Sequence, residues 1–310
     1  MIKAAEQVLV TGATGFLGGA VVRRLAASGH AVKASVRADP GDWPQGVTPT
    51  LTGYLDGTTN WSAALTGVDV VVHCAARAHV LKETAADPLA QFRAVNTEGA
   101  LALARQAAAS GVRRFIFISS IGVNGAATHD RAFHHDDPPH PHSPYALSKW
   151  EAEQGLAVIA AKTSMETVVL RPPLIIGPEP KGNLASLRAV MARGLPLPFG
   201  LATKNRRDLV SLETLCGLID VVIDHPAAAG QTFLVSDGQA ISTRTLLERL
   251  ASDLDRSPAF LPVPPVMLTT LLKMMGKGAM ASQLFGDLEI DISHTRQTLD
   301  WMPGVETAPT

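Results

Sequence analysis

The chain has 310 residues, of which 46% are hydrophobic and 18% charged, and its formal net charge is −1. This length can bury a large core, and the lack of a basic excess argues against nucleic-acid binding. The chain has two cysteines, Cys74 and Cys216, in unrelated contexts, which is typical of a reducing compartment. It has no signal-peptide pattern and no apolar run of the roughly 18 residues that span a bilayer. We therefore predict a cytoplasmic protein without membrane insertion.

Short apolar runs alternate with helical patterns through the first half of the chain. The predicted strands, apolar enough for burial on both faces, are Gln7–Thr11, Ala31–Val36, Asp69–Cys74, Arg114–Ser119 and Glu166–Leu170. The predicted helices between them are Phe16–Ser28, Pro88–Ser110 and Ser143–Lys162. This alternation predicts an α/β fold of the Rossmann type, a doubly wound parallel sheet with helices on both faces.

After Arg171-Pro172-Pro173 the pattern changes to short helices separated by loops rich in proline and glycine. The predicted elements are helices over Asn183–Arg193, Ser211–Asp224, Thr243–Leu254 and Pro265–Lys277, and a strand over Thr232–Val235. We therefore predict a dinucleotide-binding domain over residues 1–171 and a smaller, irregular substrate-binding lobe over residues 172–310. The segment around residues 207–238 is expected to return to the first domain.

A glycine-rich turn follows the first predicted strand and opens the first predicted helix. Its glycines stand three residues apart, at Gly12, Gly15 and Gly18. Such a turn lets the backbone approach a pyrophosphate, and the helix N-terminus offers unpaired amides to the anion. The residues assigned to the cofactor here are Gly12, Thr14, Gly15, Phe16, Leu17 and Gly18.

The end of the second predicted strand bears on the choice between NAD and NADP. An acid there would bind the ribose hydroxyls and repel a 2′-phosphate, but this chain has Arg37 just beyond the strand. Arginine binds phosphate through two hydrogen bonds, although Arg37 could instead be a solvated loop residue beside Asp39. We favour NADP(H) and keep NAD(H) as possible.

Three residues form the predicted hydride-transfer centre. Tyr145 and Lys149 lie one turn apart on a predicted helix, and Ser120 follows a predicted strand. A nearby ammonium favours the phenolate of a tyrosine, so that Tyr145 can exchange a proton with a sugar or alcohol oxygen while Ser120 polarises that oxygen. We predict Ser120, Tyr145 and Lys149 as catalytic, with Tyr145 and Lys149 also touching the cofactor.

These motifs resemble the extended short-chain dehydrogenases/reductases, the NAD-dependent epimerase/dehydratase family. The glycine spacing is similar to their TGxxGxxG, and Ser120 precedes Tyr145 by 25 residues (145 − 120), as in that family. His73-Cys-Ala-Ala76, Val95–Gly99 and Leu170–Pro178 resemble its HxAA, NVxGT and RPxxVYGP segments. By this resemblance, further cofactor contacts are Leu55, Ala75, Ala76, Asn96, Ser119 and Pro172, with Asn96 also holding the active-site helix. Gly53-Tyr54-Leu55 stands where the family often has GDL, so Tyr54 replaces the aspartate that meets the adenine, and Gly122 stands where a threonine is frequent.

The second lobe resembles nucleotide-sugar enzymes. Arg206–Ser211 is similar to their RDFVHVDD stretch, which implies that Asn183 and Arg207 bind substrate near its pyrophosphate; alternatively, Arg206 and Arg207 pair with Asp208 or other acids. Features shared with a bacterial O-antigen and capsule group, labelled UDP-glucose 4-epimerase-like, are His73–Val80, Lys82-Glu83, Asp87-Pro88, Lys181–Asn183, Leu195–Pro198 and Thr232–Gly238. We favour reduction of a UDP-4-keto-6-deoxy-N-acetylhexosamine.

Four alternatives remain open. They are a UDP-hexose or UDP-N-acetylhexosamine 4-epimerase with tightly bound NAD, a dehydratase, a reductase of an apolar ketone, and a non-catalytic NADP(H)-sensing module. Ile121–Gly125 lacks the acids typical of dehydratases, and the intact Ser120, Tyr145 and Lys149 argue against the sensing module.

Two further segments invite other interpretations. No metal site is expected in the histidine-rich loop from His129 to His142, because its histidines lack helical pairing and matched acids. The methionines Met267, Met274, Met275 and Met280 are predicted to pack at a lobe or subunit interface rather than face a membrane. The family resemblance implies a homodimer formed through Ser143–Lys162.

Overall fold

The computed structural model describes residues 6–78, 87–178, 183–252 and 258–304. Within these residues the strands are β1 (Gln7–Thr11), β2 (Ala31–Val36), β3 (Val47–Leu51), β4 (Val70–His73), β5 (Arg114–Ile118), β6 (Glu166–Arg171), β7 (Leu174–Ile176), β8 (Leu209–Ser211) and β9 (Thr232–Leu234). The α-helices are α1 (Phe16–Ala27), α2 (Ser62–Leu65), α3 (Pro88–Phe92), α4 (Ala100–Ala109), α5 (Pro144–Ala160), α6 (Asn183–Ala192), α7 (Leu212–Asp224), α8 (Thr243–Ser252), α9 (Pro265–Met274), α10 (Gly278–Phe285) and α11 (Ser293–Leu299).

The main sheet of the described chain has seven parallel strands in the order β3-β2-β1-β4-β5-β6-β9. Successive residues of a strand point to opposite faces, so Val8 and Val10 pack with Val21 of α1, whereas Leu9 packs with Leu103 of α4. Helices therefore cover both faces, and the predicted doubly wound parallel sheet is confirmed.

Two short pairings were not predicted. β3 contains Pro49, which cannot donate to a ladder, but proline is tolerated where a strand lies at the edge of a sheet. β7 and β8 form a separate two-stranded parallel sheet, with Leu174 opposite Leu209. Neither β7 nor β8 is long enough for its periodicity to stand out in the sequence.

The predicted continuous helix over Pro88–Ser110 is wrong in its middle. The chain forms α3, then a π-helical segment from Arg93 to Gly99, and then α4. A π-helix inserts one extra residue per turn, and such insertions are frequent at functional sites. Here the insertion contains Asn96, whose side chain is fully buried.

The second half of the chain builds its own apolar cluster and also returns to the main sheet. Leu197, Phe199, Leu247 and Leu250 are among the buried members of that cluster. β9 pairs with β6, placing Thr232 opposite Val169. Lys82-Glu83, Lys181-Gly182 and the predicted helix end at Leu254 lie outside the described residues.

The four methionines predicted to pack at a lobe or subunit interface are not covered by the described lobe, and their packing at a subunit interface stays a prediction. Met267, Met274, Met275 and Met280 are exposed by 63%, 82%, 56% and 37%. They lie on or beside α9 and α10, on the side that the lobe's apolar cluster does not cover. In the described part of the chain, no helix is both long and apolar enough to cross a membrane.

Candidate active site

The glycine turn and the segment after β4 meet where the order of strands reverses, between β1 and β4. A Cβ on Gly12, whose φ is +66°, would lie 2.9 Å from the backbone of Ala75. A Cβ on Gly18 would lie 2.1 Å from the carbonyl oxygen of Gly12. Only glycine allows these approaches, and ligands of open α/β sheets bind in this crevice.

The start of α1 is suited to an anion. No side chain caps this helix at Gly15 and no acid lies in its first turn. Its first amides and its dipole therefore face the glycine turn, and Ala75, another residue predicted to contact the cofactor, lies against Gly12. The cradle fits the pyrophosphate of a nicotinamide dinucleotide.

A buried pair joins β1 to β4 beneath this cradle. Thr11 Oγ1 lies 2.8 Å from His73 Nδ1 and accepts a hydrogen bond of 3.2 Å from the Ala75 amide. Burial, helped by the Lys149 charge, lowers the pKa of His73 to about 3. His73 is therefore neutral, and its Nδ1 shares a hydrogen bond with the Thr11 hydroxyl.

Lys149 is held at the carboxyl end of β5. Its Nζ donates to the carbonyl of Ile118 at 2.9 Å and lies 4.6 Å from the centre of the Phe117 ring. The side chain is almost fully buried, and this burial lowers the pKa of Lys149 to about 8. The ammonium thus remains largely charged at neutral pH, next to the end of the strand that leads into Ser119 and Ser120.

Tyr145 is half-buried in the first turn of α5. Its ring meets the edge of Phe92 with centroids 6.0 Å apart, and Lys149 Nζ lies 6.0 Å from the ring centre. Burial raises the pKa of Tyr145 to about 12. A proton-accepting role therefore requires further positive charge nearby, which an oxidised nicotinamide brings when it is bound.

Ser120 is brought to the start of α5 by the turn that follows β5. Its Oγ accepts a hydrogen bond of 3.1 Å from the Gly122 amide. A Cβ on Gly122 would lie 3.3 Å from both Ser120 Oγ and the Cβ of Ala146, and 3.0 Å from the ring of His142. The absence of a side chain at Gly122 is what lets the serine turn pack this closely against the residue after Tyr145.

Asn96 connects the active-site helix to the loop after β4. Its amide donates to Ser148 Oγ at 3.1 Å, and its Oδ1 accepts from the Arg77 amide at 2.8 Å. Ser148 Oγ in turn donates to the carbonyl of Tyr145 at 2.7 Å. The π-helical segment supplies this contact because its extra residue turns Asn96 toward α5.

Sequence reasoning missed a buried ion pair beside Ser119, the residue that precedes the predicted catalytic Ser120. Arg171 donates to Glu153 through Nε at 3.1 Å and Nη2 at 2.6 Å, and to Asn124 Oδ1 at 3.0 Å. Ser119 Oγ donates to the same Glu153 carboxylate. Glu153 lies one turn after Lys149 on α5, so the sequence placed an acid on the same side of the helix as Lys149. That acid and the arginine of the Arg171-Pro172 motif were the features from which the pair could have been predicted.

The remaining predicted cofactor residues follow the carboxyl ends of β2, β3 and β6. Arg37 is exposed after β2, with its guanidinium 5.8 Å from the centre of the Tyr54 ring, while Asp39 binds the Gly41 amide and Trp43 Nε1. Leu55 packs toward Gly99 at the end of the π-helical segment. Pro172 is buried, and its carbonyl accepts from the Ile121 amide at 2.9 Å.

Of the two predicted substrate residues, Asn183 and Arg207, only Arg207 has a described side chain. Arg207 donates through Nη1 to the carbonyls of Gly286 at 2.8 Å and Ser282 at 3.3 Å. The alternative pairing with acids holds for Arg206, which pairs with Glu289 at 2.7 Å. It does not hold for Asp208, which accepts from the Ile290 amide. Asn183 begins α6, and its side chain lies outside the described residues.

The histidine-rich loop brings three possible metal ligands together. Nitrogens of His134 and His135 and an oxygen of Asp136 lie within 4.8 Å of one another. His134 is bound to Asp136 by a hydrogen bond, and the His135 ring stacks on His294 with centroids 3.8 Å apart. The first contact lies within the loop, and the stack of His135 on His294 joins the loop to α11.

The lowered pKa of Lys149 makes the stability of the protein dependent on pH. The folded pKa is about 8 and the unfolded pKa is near 10.5, so the unfolded chain binds more protons between these values and folding becomes more favourable as pH rises through the window. We expect the unfolding free energy of wild type to gain about 3 kcal/mol relative to Lys149→Met from pH 8 to 10.5. Denaturant titrations of both proteins at several pH values measure this; a constant difference would contradict it.

Comparison with known proteins identifies the family. A family model described as NAD dependent epimerase/dehydratase family matches residues 8–236. The chain is 45% identical over 303 residues to a UDP-glucose 4-epimerase of Vibrio cholerae, covering 97% of this chain and 92% of that protein. It is 25% identical over 276 residues to an N-acetyl-α-D-glucosaminyl-diphospho-ditrans,octacis-undecaprenol 4-epimerase of Escherichia coli O157:H7, covering 87% and 78%.

Solved structures share the fold. A UDP-glucose 4-epimerase of Thermotoga maritima with UDP-glucose gives a TM-score of 0.76 at 23% identity, covering 96% of this chain and 94% of that one. The Bordetella bronchiseptica enzyme WbmG in complex with NAD gives 0.74 at 19% identity, covering 98% and 91%. The favoured reductase activity and the NADP(H) preference are not confirmed by these relatives. The family match and the relative that spans nearly the whole chain show that this protein belongs to the NAD-dependent epimerase/dehydratase family, the extended short-chain dehydrogenases/reductases.

Proposed function

We propose that this protein is a 4-epimerase of a UDP-linked hexose or N-acetylhexosamine that keeps NAD bound throughout its cycle. The observation that carries the proposal is the 45% identity over 97% of the chain with the Vibrio cholerae UDP-glucose 4-epimerase. That alignment covers the substrate lobe as well as the cofactor loop. The proposal replaces the UDP-4-keto-6-deoxy-N-acetylhexosamine reductase favoured from the sequence, and the ketone reductase has no comparable support.

Three residues of the chain have separate roles in the reaction at C4 of the sugar. When bound, the nicotinamide supplies the acceptor and then the donor of a hydride at that carbon. Tyr145 Oη takes the proton of the C4 hydroxyl as the carbon becomes a ketone, and returns it when C4 is reduced from the opposite face. Ser120 holds the same oxygen, and Lys149 supplies positive charge beside Tyr145.

The proposed cofactor follows from the balance of this reaction. Epimerisation returns each hydride to the sugar, so no reducing equivalents are consumed and a dissociating NADPH is not required. Arg37, the residue behind the NADP(H) preference, stacks on Tyr54 at the rim of the crevice. An arginine in that position is compatible with an NAD adenine, since guanidinium groups stack on flat rings.

The test is conversion of UDP-glucose and of UDP-N-acetylglucosamine, each without added cofactor, with products separated by chromatography. We expect the corresponding 4-epimer, and NAD released when the protein is denatured. A parallel reaction contains NADPH and UDP-4-keto-6-deoxy-N-acetylglucosamine. Stoichiometric NADPH oxidation there, with no epimer in the first reactions, would show that the protein is a reductase.

A second candidate substrate is a hexose diphosphate carried by a polyprenol. The Escherichia coli relative is named for such a substrate, and it shares C4 epimerisation of a sugar 1-diphosphate with the first candidate. The observation that favours it here is the exposed apolar side of α9, where Val266 and Met274 are exposed by 76% and 82%. Conversion of N-acetylglucosaminyl-diphospho-undecaprenol with no conversion of either UDP-sugar would select this substrate.

Several expectations from the sequence remain predictions. They are the roles of Asn183 and Arg207 at the substrate diphosphate, the division at residue 171, a homodimer formed through α5 and a cytoplasmic location. Val158 on α5 is 54% exposed, as a helix that meets a second subunit requires.

A further inference from the structure

The substrate lobe carries an apolar surface that nothing in the described chain covers. α9 and α10 form a helical hairpin that packs on the lobe through Leu268, Leu284 and Phe285. On the outer side of α9, Val266, Met267, Leu271 and Met274 are exposed by 76%, 63%, 55% and 82%. We call these four residues, with Met275 and Met280, the hairpin surface.

The spacing of these residues places them on one side of α9. Val266, Met267, Leu271 and Met274 follow helical periodicity, and Leu268 on the other side faces the lobe. A helix normally buries its apolar side, yet no residue of α9 is buried. Six of the fourteen exposed large apolar side chains of the described chain belong to the hairpin surface, and such a concentration of apolar exposure is typical of an interaction site.

The charged residues of the segment that forms the hairpin surface have one sign. Residues 258–286 contain Lys273 and Lys277 and no aspartate, glutamate or arginine. Both lysines are exposed, at the C-terminal end of α9 and just after it. Lysine side chains can lay their aliphatic stems along an apolar surface while their ammonium groups reach anionic headgroups.

The dimensions and the composition of the surface favour a membrane as its partner. A ten-residue helix is about 15 Å long, about half the thickness of a bilayer core, so α9 can lie in the interface but cannot cross it. In a two-fold symmetric contact between two copies of the chain, the hairpin surface would face itself. The charges that the two copies bring to such a contact are all lysines, which repel one another. Residues 258–286 also lack the tyrosine, tryptophan and arginine that dominate protein–protein contacts.

We propose that the hairpin surface docks this protein on an anionic lipid surface, with the four outer residues of α9 at the boundary of the acyl chains and Lys273 and Lys277 among the headgroups. The end of α10 accepts two hydrogen bonds from Arg207. Docking would therefore hold the substrate lobe at the membrane. The proposal does not depend on which sugar the enzyme converts.

The test is co-sedimentation of the full chain with vesicles of phosphatidylglycerol and phosphatidylcholine in equal parts, and with vesicles of phosphatidylcholine alone. We expect binding to the anionic vesicles, weakened about tenfold or more by Met267→Gln/Leu271→Gln/Met274→Gln and by Lys273→Glu/Lys277→Glu. The matched controls are Leu51→Gln/Met302→Gln, which changes exposed apolar residues elsewhere, and Arg23→Glu, which reverses an exposed charge on α1. These should bind as wild type does.

Three results would overturn the proposal: no binding, equal binding to both kinds of vesicle, or equal binding by wild type and the hairpin variants. Sedimentation velocity in the absence of lipid tests the other occupant. A wild-type dimer that Met267→Gln/Leu271→Gln/Met274→Gln separates into monomers, without vesicle binding by wild type, would assign the surface to a second copy. Circular dichroism and unfolding midpoints establish that each variant is folded.

Discussion

Tyr145→Phe is expected to lower kcat by about 10²- to 10⁴-fold with little change in KM, because it removes the hydroxyl that exchanges the C4 proton and keeps the ring. The ring's contacts with Phe92 and Lys149 persist in the variant, so the fold should be preserved. Initial rates of 4-epimer formation measure the effect, and the unfolding midpoint reports on the fold.

The chain contains its own control for this substitution. Tyr54 is the second of its two tyrosines, and it is 79% exposed. Tyr54→Phe deletes the same atom at the rim of the cofactor crevice, where no proton transfer is proposed. Its kcat should remain within about twofold of wild type, since exposed hydroxyl groups away from the chemistry contribute little. Equal rates for Tyr145→Phe and wild type would refute the assigned role.

Arg171→Met should lower the free energy of unfolding by about 3–5 kcal/mol, because it leaves the Glu153 carboxylate buried without its partner. The two side chains are each only 5% exposed, and Glu153 also holds Ser119, the residue before Ser120. The double variant Glu153→Leu/Arg171→Met should recover much of the loss, because a buried ion pair can often be replaced by apolar side chains at little cost. Chemical denaturation of the wild type, both single variants and the double variant measures the coupling.

An exposed ion pair provides the comparison. Arg206 pairs with Glu289, but its side chain is 61% exposed. Arg206→Met should therefore lower the free energy of unfolding far less than Arg171→Met does. If Arg206→Met and Arg171→Met cost the same, burial of the Glu153–Arg171 pair would not be the cause of its effect.

Sequence periodicity predicted the main sheet because most of its strands and helices are defined by neighbouring residues. The observed β1, β2, β5 and β6 begin at the predicted residues. Periodicity could not identify β3, whose Pro49 argues against a strand until the neighbouring strand and the free edge are known. The π-helical segment was also missed, because its extra residue is stabilised by the contact of Asn96 with Ser148 on another helix.

The sequence by itself determined the family, the glycine turn and the spacing of Tyr145 and Lys149, since all of these depend on short-range geometry along the chain. Only the tertiary structure decided that Arg171 pairs with Glu153, that Arg207 donates to the end of α10, and that the methionines of α9 remain exposed. Ion pairing and burial depend on which segments far apart in the sequence come into contact. These tertiary contacts are determined by the packing of the whole chain and not by the spacing of residues along it.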